Sequence, residues 1–345
     1  MTRLERLRAR LEEPLLVTKA VNVLYLCGLR SSNAALLVEP DGPTRLYTDF
    51  RYVEKARAVE GVELVETKRT VVKDLAELLS GTIGFEAAHV SYDAHRTLAA
   101  GGLELVPRLG LVEELRAVKD EEELTAIRRA AELADEAFAR LAASPFLGRT
   151  ERDLAWQLER TFRELGADAS SFEAIVAAGP NGALPHANPG DRVVERGQLV
   201  VVDGGCMTGG YCSDCTRTYA TGPLPDELAR AYEACLAAQL AALEAVLPGA
   251  EGVAVDAVAR DAIGAAGFGE AFAHGLGHGV GLEIHEAPTL STLSTDTLVV
   301  GNVVTVEPGI YLPGLGGVRI EDLAVVREGG PEVLTHLPKE LTEVG

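Results

Sequence analysis

The sequence predicts a two-domain α/β protein, and three observations lead to this fold class. The chain has 345 residues, a length that favours two domains over one. Its first third alternates strand-like apolar runs with turn dipeptides and helical segments. The remaining two thirds contain several amphipathic helical patterns and a motif of glycine, apolar strand and acid that occurs twice. We therefore expect a small N-terminal α/β domain in residues 1–115 and a larger domain in residues 116–345.

The composition argues against several classes of protein. The formal net charge is −20, from 52 acidic and 32 basic side chains, which disfavours binding to nucleic acid or to anionic membranes. No apolar run approaches the roughly 18 residues of a membrane helix, and the charged N-terminus lacks the apolar core of a signal peptide. Five cysteines, an odd number, favour reduced thiols over a disulfide framework. We expect a cytoplasmic protein with no nucleic-acid or membrane partner.

Two of the cysteines, Cys212 and Cys215, have the CxxC spacing of zinc knuckles and redox pairs. The chain has no second CxxC, and alternation along a strand would place the two thiols on opposite faces. We interpret these cysteines as incidental to function.

Residues 1–115 are predicted to alternate strands and helices after a charged, amphipathic N-terminal helix. Strands, with their closing turns, are predicted over residues 21–28, 32–42, 44–49 and 82–86, and helices over residues 51–59, 73–79 and 94–100. A mixture of this kind is typical of an α/β domain.

The larger domain is predicted to open with a long helix. Between Asp120 and Ala143 apolar residues recur at helical spacing, and acids gather in the first turn, where the helix dipole favours them. Ser144-Pro145 ends this helix, and Thr150 resembles the N-cap of the next one. Further helices are predicted over residues 151–165, 226–247 and 255–265.

The first acid hairpin is predicted between these helices. The apolar run 199–202 is β-branched and short, so it predicts a buried strand that ends at Asp203. Glycines then turn the chain, and residues 211–219 are predicted to return as a strand that carries Asp214. A lone Asp-Gly pair is ordinary turn chemistry, but the pattern occurs a second time.

The second copy runs from Gly301 to Glu307, and in each copy the acid comes six residues after the glycine. A further strand, residues 317–326, follows a Pro/Gly turn. Because side chains alternate along a strand, Arg319 and Glu321 share a face. We therefore expect two hairpins that each present two acids.

Four carboxylates gathered in an apolar interior would repel each other unless a cation compensates them. The glycine-rich segment 274–288 between the hairpins supplies three of the seven histidines, and its glycines make a helix improbable. Four carboxylates and one imidazole suit a pair of divalent ions such as Mn, Co or Zn, which can hold and ionise a water. The candidate ligands are Asp203, Asp214, His278, Glu307 and Glu321.

At this point the motifs VDGG, SDCTRT, HGLGHGVGLEIHE, VEPG and RIED, in this order, resemble those of the pita-bread metallopeptidases, specifically the Xaa-Pro branch with aminopeptidase P and prolidase. The resemblance implies a pseudo-twofold C-terminal pita-bread domain, with a curved antiparallel sheet and helices on its convex face. The internal repeat fits that symmetry. Residues 25–38 also resemble the N-terminal domain of Xaa-Pro peptidases, which disfavours the methionine aminopeptidases.

The resemblance also implies roles for the candidate ligands. By it, Asp203 is the bidentate ligand of one metal, Asp214 and Glu321 bridge both metals, and the remaining two ligands, His278 and Glu307, complete the other site. Glu307 is in addition the expected proton carrier of the reaction.

Further residues are expected around the metals. By resemblance His186 helps to seat the substrate without binding metal, although a loop histidine framed by Gly and Pro is by itself equally a solvated residue. His285 is expected to hydrogen bond the scissile carbonyl oxygen. His274 and Arg319 are expected to support the site, with a surface ion pair as the alternative for Arg319. Arg30, with Arg45 and Arg51 as further candidates, is expected to bind the carboxylate of a dipeptide.

The expected activity is dinuclear metal-dependent hydrolysis of the Xaa-Pro peptide bond. The short N-terminal domain favours an Xaa-Pro dipeptidase, or prolidase, over an aminopeptidase P that acts on longer peptides. The remoter alternatives are a creatinase-like hydrolase and a metal-free module that only binds peptides. Resemblance to dimeric relatives makes a homodimer the expected assembly.

Overall fold

The structure is a computed structural model that describes residues 1–345. The chain divides into two compact units, Met1–Arg116 and Ala117–Gly345. None of its helices combines the length and the apolar character needed to cross a membrane.

The first unit contains a six-stranded mixed sheet and short helices. Its strands are β1 (Leu15–Val17), β2 (Ala34–Val38), β3 (Thr44–Asp49), β4 (Glu63–Thr67), β5 (Thr82–Glu86) and β6 (Glu104–Arg108). Its helices are α1 (Arg3–Arg8), α2 (Ala20–Cys27), α3 (Val53–Ala56), α4 (Val71–Leu78), α5 (Tyr92–Ala100) and α6 (Glu113–Ala117), which reaches the boundary. The strand order is β4-β3-β2-β1-β5-β6, with β2 antiparallel to both of its neighbours and the other pairs parallel. Helices α4 and α5 pack on this sheet through an apolar core.

One sequence prediction for this unit is wrong. Residues 21–28, predicted as a strand, lie in helix α2, which ends at Gly28 with φ +75° and a hydrogen bond from Gly28 N to Leu24 O. The run is apolar and partly β-branched, so it has the composition of a buried strand although it forms a buried helix. Strands β1, β4 and β6 were not predicted because they are short or carry charged, half-exposed side chains.

The second unit contains four long helices and the remaining strands. The helices are α7 (Glu121–Ala142), α8 (Glu151–Glu164), α9 (Asp226–Glu244) and α10 (Gly252–Ala265). The strands are β7 (Ala169–Ser170), β8 (Ile175–Ala178), β9 (Leu199–Asp203), β10 (Cys206–Thr208), β11 (Tyr211–Cys212), β12 (Thr216–Ala220), β13 (Gly277–Gly279), β14 (Glu286–Leu290), β15 (Val303–Val306), β16 (Gly309–Leu312), β17 (Gly316–Arg319), β18 (Asp322–Val325), β19 (Glu332–Val333) and β20 (Thr342–Glu343).

The four predicted helices are confirmed, and the sequence explains where two of them begin. Asp120 and Thr150 cap α7 and α8, and in each case an acid at the third helical position returns a hydrogen bond to the cap. The apolar stripes of α7 and α8 pack against β8 and β9, and those of α9 and α10 pack against β15 and β18. A pair of helices followed by an antiparallel strand pair therefore occurs twice.

The two acid hairpins have the same architecture. Strand β12 pairs with β9, placing Thr216 opposite Asp203, and β18 pairs with β15, placing Asp322 opposite Val306. The prediction of one continuous returning strand is wrong in both copies. The strand is broken over residues 213–215 because β11 pairs with β10 in another sheet, and over residues 320–321 because β17 pairs with β16. Each break carries one of the predicted acids.

Candidate active site

A cavity of about 410 Å³ in the second unit brings the predicted site residues together. Apolar side chains of Phe172, Ile175 and Ile284 form part of its wall. The predicted residues that line it are His186, Asp203, Asp214, His274, His278, His285, Glu307, Arg319 and Glu321.

Each hairpin places one acid at the end of its first strand and one in the break of its second. Asp203 is the last residue of β9, and Glu307 directly follows β15. The hairpins meet at Thr216, whose carbonyl accepts a hydrogen bond from Glu321 N (3.1 Å) and whose hydroxyl donates to Glu321 Oε2 (2.8 Å). The four carboxylates therefore face one another across two hydrogen-bonded hairpins.

His278 enters the cavity from β13, which pairs with β15. Its Nε2 lies 3.2 Å from Glu307 Oε1 and 3.7 Å from Asp214 Oδ2. Flanking glycines permit this approach, because a Cβ at Gly277 would lie 2.1 Å from Thr305 O and one at Gly279 would lie 2.2 Å from Ala287 O. The prediction that this segment is not helical is confirmed.

Arg319 is buried, with only 4% of its side chain exposed, so the alternative of a surface ion pair is excluded. Its Nη2 donates to Asp203 Oδ2 (2.7 Å), and its Nη1 donates to the Tyr311 hydroxyl (2.9 Å) and to Pro185 O (3.2 Å). The Tyr311 hydroxyl also lies 2.9 Å from His274 Nε2. One guanidinium thus connects an acid, a tyrosine and the loop that carries His186.

Burial and the charges of neighbouring groups shift the pKa values of the four carboxyl groups by different amounts and in different directions. Burial, reinforced by the neighbouring carboxylates, raises the pKa of Asp214 and Glu321 well above the usual range. Burial also raises the pKa of Asp203, although Arg319 opposes it. Burial opposes ionisation of Glu307 as well, but the hydrogen bond and the charge of His278 prevail and lower its pKa to about 2. Burial disfavours the imidazolium of His278, yet Glu307 outweighs burial and raises the His278 pKa.

This arrangement fits divalent metal ions. Asp203 Oδ1 is buried and has no hydrogen-bond partner, so an acceptor atom lies in the interior without a positive group to satisfy it. Ligand atoms of Asp214, His278 and Glu321 lie within 4.8 Å of one another. Carboxylate and imidazole donors suit Mn, Co or Zn. All five cysteines are free thiols and none belongs to this group.

The two other predicted histidines are exposed side chains that line the cavity. The ring of His285 packs edge-on against that of His278, with centroids 4.3 Å apart. Partial desolvation of the His285 ring in the cavity, together with the His278 charge, lowers the His285 pKa. A neutral His285 has one ring N–H that can donate a hydrogen bond. His186 follows Pro185, whose carbonyl Arg319 binds.

The three predicted arginines lie in the first unit. Arg45 is paired with Glu39 (2.5 Å) and Glu63 (3.5 Å), and Arg51 is paired with Asp49 (2.6 Å). Arg30 is exposed, and its guanidinium, unlike those of Arg45 and Arg51, has no acidic partner.

Sequence reasoning missed Tyr311 and the two hydroxyls that orient the ligands. Thr305 accepts from His278 N (3.0 Å) and donates to Glu307 Oε1 (3.1 Å), as Thr216 does for Glu321. The sequence does hold a signal for both threonines. Each lies two residues from a candidate ligand, and side chains two apart on a strand share a face. Tyr311 gave none, because it reaches Arg319 only through the β16–β17 pairing.

Comparison with known proteins identifies the family. The model of metallopeptidase family M24 matches residues 125–328, and that of the creatinase/prolidase N-terminal domain matches residues 3–118. The chain belongs to metallopeptidase family M24. An uncharacterized peptidase of Bacillus subtilis, YqhT, is 41% identical over 334 residues, covering 95% of this chain and 94% of the relative.

Two solved structures are similar to this chain along nearly its whole length. The Xaa-Pro dipeptidase from Bacillus anthracis has a TM-score of 0.94 and 38% identity, covering 99% of both chains. The X-Pro aminopeptidase from Thermotoga maritima has a TM-score of 0.88 and 35% identity, covering 96% of this chain and 97% of the other. The predicted pita-bread fold with an N-terminal α/β domain is therefore confirmed, and the protein is a metallopeptidase.

Proposed function

We propose that this metallopeptidase is an Xaa-Pro dipeptidase, a prolidase, that works with two divalent ions. The observation that carries the proposal is the convergence of four carboxylates and one imidazole on a single cavity. The similarity to the Xaa-Pro dipeptidase from Bacillus anthracis along 99% of the chain supports the choice of substrate. We further propose that residues 1–115 and 116–345 act as the N-terminal and the catalytic domain.

The proposed ligands divide between two ions. Asp203 is proposed to hold one ion, His278 and Glu307 the other, and Asp214 and Glu321 both. Divalent ions supply an ionised water at neutral pH and polarise the scissile carbonyl. The raised pKa values of Asp214 and Glu321 support this assignment, because neither acid accepts a hydrogen bond from a cationic side chain.

The protein groups around the ions are proposed to position the substrate and move its protons. Glu307 takes the proton of the nucleophilic water and delivers it to the proline nitrogen, which has no N–H in the peptide and must be protonated to leave. His285 donates a hydrogen bond to the carbonyl oxygen as negative charge grows there. His186 seats the substrate, and His274 and Arg319 hold the acids in place.

The dipeptide preference requires a group that binds a free carboxylate next to proline. We propose Arg30 for this role, because its guanidinium is exposed and has no acidic partner. The Thermotoga maritima relative supports the alternative of an aminopeptidase acting on longer peptides.

Hydrolysis of Ala-Pro and Ala-Pro-Ala by metal-free protein reloaded with Mn, Co or Zn tests the proposal. We expect rapid cleavage of Ala-Pro, little cleavage of Ala-Pro-Ala, and none of Ala-Ala. The R30M variant should raise KM for Ala-Pro, whereas R57M, which alters an exposed arginine of the same unit, should not. Preference for Ala-Pro-Ala would favour the aminopeptidase, and cleavage of neither proline peptide would refute the Xaa-Pro assignment.

Three further features belong to the same proposal. We infer a homodimer, to be checked by sedimentation of the full chain, and a cytoplasmic location, which the five free thiols support. Manganese is the proposed metal, and the relative rates with Mn, Co and Zn test it.

A further inference from the structure

A second polar network lies behind the acid cluster and is centred on Arg217. Side chains alternate along β12, so Thr216 faces Glu321 whereas Arg217 points to the other side of the sheet and does not line the cavity. The same alternation places Asp322 behind its neighbour Glu321. Arg217 Nη2 and Asp322 Oδ1 lie 2.8 Å apart, and the side chains are only 3% and 1% exposed.

Arg217 uses all three guanidinium nitrogens. Nε donates to Pro338 O (3.0 Å), and Nη2 donates to Leu337 O (2.8 Å) as well as to Asp322. Nη1 donates to two backbone carbonyls, Thr216 O (2.9 Å) and Glu321 O (2.5 Å). The last of these carbonyls lies in the strand break, where its donors are Arg217 and, at 3.6 Å, the Cys215 thiol. Arg217 therefore satisfies a buried acceptor at the break.

The partner carboxylate is itself held from other sides. Asp322 Oδ2 accepts from Gln239 Nε2 (2.9 Å) and Lys339 Nζ (2.6 Å), and its Oδ1 accepts from the Thr335 hydroxyl (2.9 Å) as well as from Arg217. Arg217 is thus fixed at one end by a fully hydrogen-bonded acid and holds the Glu321 carbonyl at the other.

The break over residues 213–215, which carries Asp214, also contacts the Arg217 guanidinium. The carbonyl oxygen of Cys215, the neighbour of Asp214, accepts a hydrogen bond from Gly204 N (3.1 Å). The Cys215 Sγ lies 3.5 Å from Arg217 Nη1 and 3.6 Å from Glu321 O. Asp214 and Glu321, the acids in the two strand breaks, are called the break acids below. The backbone segments that carry them both contact Nη1 of Arg217.

We propose that Arg217 is a positioning residue of the metal centre, which sets the separation of the Asp214 and Glu321 carboxylates from behind the sheet. The inference rests on the proposed function, in which these two acids bridge the ions. A planar guanidinium suits the task, because it holds a carboxylate and two carbonyls in fixed directions, whereas a lysine ammonium does not.

Titration of metal-free protein with Mn²⁺ alone, followed by calorimetry and by electron paramagnetic resonance, tests the inference. The variants are R217K and the double variant R217M/D322N, which removes both charges of the buried ion pair. The double variant leaves only Lys339, whose side chain is 21% exposed, without its acid. The control is K339M, which removes another bond to Asp322 without touching the Glu321 carbonyl. Thermal melting of each metal-free variant checks its folding.

We expect both Arg217 variants to fold, to bind the second Mn²⁺ about 10–100-fold more weakly, and to lose the spin coupling of a bridged Mn pair. K339M should melt at a lower temperature yet bind and couple both ions as the wild type does. Equal Mn²⁺ binding by wild type and both Arg217 variants would overturn the inference alone. Failure of the double variant to fold would also overturn it, since Arg217 would then serve the fold as a whole. A wild-type protein that binds no Mn pair would instead refute the proposed function.

Discussion

The two acid hairpins share an architecture but differ in the positive groups they supply. Both strand-end acids contact a cationic group: Arg319 binds Asp203 at 2.7 Å, and His278 binds Glu307 at 3.2 Å. Arg319 comes from the second hairpin, and His278 comes from the strand that pairs with it. The first hairpin therefore contributes two acids and no positive group to the cavity.

The break acids differ from the strand-end acids in the same respect. Glu321 accepts a hydrogen bond from a neutral hydroxyl, and Asp214 lies 3.7 Å from His278 Nε2, beyond hydrogen-bond distance. Their pKa values are raised well above the usual range, whereas that of Glu307 is lowered to about 2. The pKa of Asp203 is also raised, although Arg319 opposes the shift. The two acids proposed to bridge the ions are thus the ones that no cationic side chain hydrogen bonds.

The largest effect is expected from removing a break acid. The D214N variant should lose at least one ion and about 10²–10³-fold or more in turnover, because several kcal/mol of metal stabilisation disappear. Metal content and the rate on Ala-Pro measure this. The matched control is D261N, an exposed aspartate of α10, which should retain both. Full activity of D214N with unchanged metal content would contradict the assignment.

A large effect without metal loss is expected at His285, which packs against the ligand His278 but is not itself a proposed ligand. The H285A variant should lose about 10²–10³-fold in kcat, since the loss of one donor to a developing oxyanion costs about 2.7–4 kcal/mol. Its metal content should equal that of wild type. A variant that loses metal in proportion to activity would show that His285 acts as a ligand.

A smaller effect is expected at Tyr311, whose hydroxyl joins Arg319 to His274. The Y311F variant removes both of these hydrogen bonds, but Arg319 Nη1 keeps its bond to Pro185 O. We therefore expect a net loss of only about 0.5–1.5 kcal/mol, which lowers kcat/KM by about 2–10-fold. Metal content should not change, because Arg319 keeps its bond to Asp203. The matched control is Y232F, which removes a buried tyrosine hydroxyl that binds Lys339 O (2.8 Å) outside the cavity and should keep kcat/KM. A loss in Y311F as large as that of D214N would contradict the subsidiary role of Tyr311.

The smallest effect is a dependence of stability on pH in the metal-free protein. The folded-state pKa of Glu321 is raised above 4.5, so its protonated form contributes stability that is complete below the unfolded pKa and is lost as pH rises through the folded pKa. Metal-free E321Q, which mimics the protonated acid, should melt with wild type near pH 4 and several degrees above it at pH 8, since about 1 kcal/mol shifts Tm by about 2–4 °C. The same difference in Tm between E321Q and wild type at pH 4 and at pH 8 would contradict the raised pKa of Glu321.

The sequence predicted the ligand cluster because its signals are local and repeated. The glycine-to-acid offset in the two copies, Gly197 to Asp203 and Gly301 to Glu307, is readable without any structure. The helices were predictable for the same reason, since caps such as Asp120 and Thr150 act within one turn.

The features that the sequence did not predict depend on pairing between distant segments. The breaks at Asp214 and Glu321 arise because each returning segment pairs with two different strands, and periodicity within one segment carries no record of its partners. Residues 21–28 illustrate another limit, since a largely apolar run, interrupted here by Asn22, fits a buried helix as well as a buried strand.

We propose that two divalent ions compensate the break acids and support hydrolysis of Xaa-Pro dipeptides. The most direct test is to titrate metal-free protein with Mn²⁺ while recording bound ions per chain and the rate on Ala-Pro. We expect no hydrolysis without metal and full hydrolysis only when two ions are bound. Full hydrolysis of Ala-Pro with one ion or none bound per chain would contradict the proposal.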